Sequence, residues 1–118
     1  MNNNAKIYLL NKLGMSSHLK GYEYILYSLD LINNNKIVDI YNNLSTLYNT
    51  TPHAVERDIR TSIEYLYLYG NLDYLDNLFN LKYNQTRPSN KQFIMTIYYE
   101  LCYNLEGDLW KKENIKTC

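Results

Sequence analysis

The residues of this chain with the type and spacing to do chemistry lie mostly just after Thr51-Pro52. His53, Arg57, Thr61 and Glu64 recur at steps of three and four, interleaved with the apolar-side set Val55, Ile59, Ser62, Ile63 and Leu66. At about 100° per residue the second set forms one face of a helix, and the first lies opposite it, flanked by Ala54 and Arg60. Arg57 has the chemistry to hold guanine O6 and N7 in bidentate fashion, with His53, Thr61 or Arg60 on neighbouring bases or phosphates. Glu56, beside these arginines, can orient one of them or exclude wrong bases. A solvated helix face is the competing reading, in which Glu56 pairs with Arg60 at i,i+4 and Arg57 with Glu64 or Asp58.

A second basic set, Lys82, Arg87 and Lys91, is expected to hold phosphates together with Thr51, and Lys20 and Lys36 fall at the ends of another helical segment. Such contacts position a protein on DNA without reading sequence, and charges that only solubilise are the alternative. The balance of 12 Lys+Arg against 12 Asp+Glu gives no general pull toward nucleic acid. Locally the sign is unfavourable, since the segment 37–69 carries Arg57 and Arg60 against Asp39, Glu56, Asp58 and Glu64.

Little supports catalysis, a metal or a cofactor. His18 and His53 are far apart with no HExxH-like partner, and neither GxxxxGK[ST] nor GxGxxG occurs to cradle a phosphate. Asp73 and Asp76 read as acids favoured by the dipole of a helix's first turn. Cys102 and Cys118 have no disulfide-framework or metal spacing; Cys102 reads as a small buried thiol, and a reducing, cytoplasmic setting is expected. No run approaches the roughly 18 consecutive apolar residues of a membrane span.

The elements that must position these groups are helical. Apolar residues make up 46% of the 118 and charged residues 20%, enough apolar material for a core. Gly14, Gly21, Gly70 and Gly107, with Pro52 and Pro88, cut the chain into segments of helical length. The spacing predicts a first helix through Ile7, Leu10 and Leu13, a second through Ile25, Leu26, Leu29 and Ile32, and a third through Ile37, Ile40, Leu44, Leu47 and Tyr48. Thr51-Pro52, an N-cap hydroxyl and then a proline at the first helical position, opens the fourth, which Gly70 should close in the left-handed conformation. Leu72, Leu75, Leu78 and Phe79 form a fifth. Ser89 and Gln92, spaced as a capping box, open a sixth running to Gly107. The expected fold is all-α, a compact bundle of about six helices over 1–107, with 108–118 a basic tail. Helices three and four are joined only by Asn49-Thr50-Thr51, as a helix-turn-helix requires and as an ordinary αα-corner also allows.

Several strings in order resemble one family. Leu13-Gly14-Met15-Ser16-Ser17-His18-Leu19-Lys20-Gly21-Tyr22-Glu23-Tyr24 resembles the opening of the C-terminal effector domain of stage zero sporulation protein A, the master sporulation regulator of spore-forming Firmicutes. Asn49-Thr50-Thr51 with Val55-Glu56-Arg57, Ile59-Arg60 and Ile63-Glu64 resembles its turn and recognition helix. Gly70-Asn71-Leu72-Asp73, Leu78-Phe79 and Arg87-Pro88-Ser89-Asn90 before Phe93-Ile94 resemble its last two helices, so the likeness covers roughly 5–106. It implies a six-helix DNA-binding domain whose helix-turn-helix enters the major groove of a promoter box, usually as tandem copies in contact.

By position Glu56, Arg57 and Arg60 keep the family's residue types, whereas His53 replaces a serine, Ala54 an arginine and Thr61 a histidine. The lost arginine removes a contact worth about 1–3 kcal/mol if bidentate. Family members carry an N-terminal phosphoacceptor domain for which a chain of 118 residues has no room. Control by receiver phosphorylation is therefore expected to be absent, and action constitutive, by abundance or through a partner. Two functions follow as expectations: a sequence-specific transcriptional regulator on double-stranded DNA, as a homodimer or tandem dimer, or an interaction module that pairs with the full-length sporulation regulator or another protein. Exposed Leu68 and the acidic helix pair motivate the second.

Overall fold

In a computed structural model of the chain, residues 3–79 and 87–104 are described, and they form helices in the expected order: α1 Asn3–Leu13, α2 Lys20–Leu31, α3 Ile37–Leu47, α4 Pro52–Tyr69, α5 Leu72–Phe79 and α6 Asn90–Tyr99. A π-helical turn, Glu100–Asn104, follows α6, so the sixth helix changes its hydrogen-bonding pattern before the expected stop at Gly107, which lies outside the described residues. Lys82 and the tail 108–118 lie outside them too. The architecture is all-α, with α4 at its centre in contact with α2, α3, α5 and α6.

The longest helix is central because its apolar face is nearly continuous. Val55, Ile59, Ser62, Ile63 and Leu66 are buried along it and join Ile25, Leu29, Ile40, Leu44, Phe93 and Ile97 in one core. Phe79 stacks on Phe93 with ring centroids 5.2 Å apart, bringing α5 against α6. The capping box of α6 forms in full: Ser89 Oγ accepts from Gln92 N, and Gln92 Oε1 accepts from Ser89 N.

Some expectations about side chains change. Ile7 is 39% exposed, while Leu9, Leu10 and Leu13 are buried beside Ala5 and Lys6. Steps of three lag behind the helical turn, so the 7-10-13 series drifts off the face that Leu9 and Leu13 share. The Lys6 ammonium donates to Asp30 Oδ2 at 2.8 Å while its stem is buried, an ion pair between α1 and α2 that the apolar pattern alone does not show. Leu47, in the last turn of α3, is exposed. Cys102 is buried, and it is disulfide-bonded rather than the free thiol expected.

Gly70 does not close α4 in the left-handed region; its φ of −81° and ψ of −171° are extended. The left-handed glycine is Gly14, at φ 92°. What Gly70 supplies is proximity, since a Cβ there would stand 2.6 Å from Leu66 O and 2.8 Å from Leu13 O. Asn71 N donates to that same Leu13 carbonyl at 2.9 Å, tying the end of α4 to the end of α1.

The closest helix approach is α2 on α4. A Cβ on buried Gly21 would collide with Ser62 Oγ and the Asp58 carbonyl. Gly21→Ala should therefore force the two helices apart and lower stability by about 1–3 kcal/mol, read as a lower urea midpoint with an unchanged slope.

Candidate nucleic-acid interface

The turn from α3 to α4 is built from short-range signals. Tyr48 N donates back to Leu44 O, and Asn49 then takes φ 53°, a left-handed conformation that asparagine tolerates better than most residues. Thr50 N donates to Ser45 O at 2.9 Å, and Thr51 Oγ1 accepts from Ala54 N at 3.0 Å with Pro52 behind it. Two amphipathic helices joined in this way form the expected helix-turn-helix. Tyr48 ties the turn to α2: its hydroxyl donates to Glu23 Oε2 at 3.0 Å, and its ring meets Tyr24 and Tyr27 edge-on at 5.0 and 6.0 Å. Burial first, and then the Glu23 carboxylate, holds that hydroxyl far above the ordinary phenol range.

Asn90 braces the unit from the other side. It is 92% buried, and its Nδ2 donates to Tyr41 Oη at 3.0 Å and to the Glu56 carbonyl at 2.9 Å, joining α3, α4 and α6 through one amide.

On the outer face of α4, His53, Arg57, Arg60, Thr61 and Glu64 are all exposed. Arg57 is 52% exposed, and its Nε lies 3.6 Å from Asp58 Oδ1, a wide surface pair of the kind that contributes little. Arg60 is engaged more closely, its guanidinium donating to Glu56 Oε1 at 2.7 Å. The competing solvated-face pairing is thus present for Arg60 and Glu56, whereas Arg57 pairs only loosely. Among the described residues no ion pair or side-chain hydrogen bond holds His53 or Thr61.

A cleft flanks α4 on each side. One, of about 440 Å³, has Ile37, Tyr41 and Ile63 among its lining residues, with Arg60, Arg87 and Lys91 around them. Arg87 lies over the Tyr67 ring, 5.6 Å from its centroid; burial pushes the Tyr67 hydroxyl up to about 12, against the opposing charge of Arg87. The other cleft, of about 430 Å³, runs between Ala54, Arg57 and Asp58 of α4 and the turn that carries Ser17, His18 and Lys20. Arg87 and Lys91 thus come against α4 as a basic pair, apart from Arg57 and His53. The oxygen of Thr51 is committed to capping the helix, leaving its hydroxyl hydrogen as the group able to meet a phosphate. Ser17 and His18 were absent from the expected contact set because only tertiary packing brings their turn beside α4; the Ser-Ser-His-Leu-Lys string was their one trace in the sequence.

An all-helical bundle with a capped, outward-facing second helix after a tight turn defines a domain of the helix-turn-helix class. A family model described as "Sporulation initiation factor Spo0A C terminal" matches residues 7–101, and the chain belongs to that family. It is a family of DNA-binding transcription-factor domains from a sporulation regulator, not of enzymes. Among the described residues no helix is long and apolar enough to cross a membrane.

Because the Thr51 oxygen completes the turn, Thr51→Ala should cost about 1 kcal/mol of stability, and Thr51→Ser should recover most of it, measured by thermal or urea unfolding.

Proposed function

We propose that the chain is a sequence-specific transcriptional regulator that lays α4 in the major groove of a promoter box. The observation that carries this reading is the grouping of Arg57, His53 and Thr61, exposed together on the first half of a helix that starts from a rigid cap. A recognition helix reads base edges with residues near its N-terminal end. Arg57 is the principal reader, His53 and Thr61 assist, and Glu56 holds Arg60 in one orientation. Arg87, Lys91, Lys82 and the Thr51 hydroxyl take phosphates. Tandem copies on DNA are supported by Leu68 and Tyr69, 62% and 71% exposed at the far end of α4. A DNA partner places the chain in the cytoplasm, where the nucleic acid is.

The second reading, an interaction module that pairs with the full-length regulator or another protein, is favoured by the same exposed Leu68 and Tyr69 and by the pairing of Arg60 with Glu56. Selection from a random duplex pool separates the two, since a reader enriches one motif and a module enriches none. On the enriched duplex Arg57→Ala should weaken binding by about 1–3 kcal/mol; unchanged specific affinity by anisotropy would show that Arg57 is not the reader.

A further inference from the structure

A helix in a major groove about 12 Å wide has a phosphate backbone on each side of it. The helix-turn-helix here carries more acids than bases, so cations that hold both strands must come from neighbouring elements. On one flank of α4, Arg87 and Lys91 stand beside the first cleft. On the other flank, the polar cleft between α4 and the turn before α2 presents Ser17, His18 and Lys20.

We propose that this turn is a second phosphate clamp, with Lys20 as its charge and His18 and Ser17 as hydrogen-bonding groups, on the strand opposite the one met by Arg87 and Lys91. The inference rests on the reading of α4 as the DNA-reading helix. Lys20 is exposed and has no ion pair among the described residues. The two acids of the cleft face partners within it rather than Lys20, Glu23 accepting from the Tyr48 hydroxyl and Asp58 lying 3.6 Å from Arg57. The short side chain of Ala54 leaves the cleft open. Rigidity comes from the residue next to Lys20: Gly21 sits against Asp58 and Ser62, which fixes the start of α2 relative to α4. The backbone of Lys20 is thereby held in one position relative to α4, so its ammonium is tethered at the mouth of this cleft.

The test is fluorescence anisotropy of the full chain across a salt series, on the enriched duplex and on a scrambled duplex of equal length and composition. Lys20→Gln should weaken binding to both duplexes by the same factor, roughly tenfold near 0.1 M salt, and reduce the slope of log K against log salt by about 0.9, the value of one phosphate contact. Lys12→Gln serves as the remote-charge control, because Lys12 lies on α1 beside Tyr8 and Tyr74. An unchanged slope for Lys20→Gln, or an equal change for Lys12→Gln, overturns the clamp. If Arg57→Ala still abolishes preference for the enriched duplex in that case, the reading of α4 stands without it. Wild-type chain that binds neither duplex overturns both.

Discussion

The close crossing of α2 over α4 at Gly21 is the constraint on which the rest depends. It lets the longest helix sit at the centre with Val55, Ile59, Ser62, Ile63 and Leu66 buried along one side, and so leaves the opposite side as an exposed face. Tyr48 on Glu23, and Asn90 on Tyr41 and the Glu56 carbonyl, then fix the two helices of the turn from opposite flanks. A face braced by tertiary hydrogen bonds on both sides is preorganised, and little ordering is left to be done on binding.

Electrostatics divides along the same lines. The chain has as many acids as bases, which taken alone is a poor credential for a nucleic-acid partner. Position changes the meaning of that neutrality. Acids cluster on α3 and α4, where Glu56 takes up Arg60, while Lys20, Arg87 and Lys91, none of them in an ion pair among the described residues, stand on elements to either side of α4. Ala54, with its short side chain, lines the cleft that Lys20 borders.

Much of the fold was legible. Thr51-Pro52, the Ser89 and Gln92 box, and apolar steps of three and four fix helix starts and buried faces through local chemistry, and they appear as expected except that Ile7, Leu47 and Leu72 are exposed. Less legible were features set by distant neighbours. Gly70 reads as a left-handed stop, yet it is extended, and glycine is needed there because the Leu13 and Leu66 carbonyls leave no room for a Cβ. Ile7 reads as core, yet the face of α1 is decided by Leu9 and Leu13 and by the pairing of Lys6 with Asp30. The exposed face of α4 was legible at Arg57, His53 and Thr61 because they share one helix, and Arg87 and Lys91 were legible as a basic set; Ser17 and His18 were not, because only packing brings their turn beside α4.

By itself, then, the sequence determined the helices, their caps, the turn between α3 and α4, and the membership that its ordered strings announce. These depend on spacings within a few residues, where backbone sterics and hydrogen bonding are local. Only the tertiary structure decided which charges are free, which acids are occupied, and that the turn before α2 stands beside α4. Those outcomes depend on helix crossings, set by close contacts such as Gly21 against Ser62, between residues far apart along the chain.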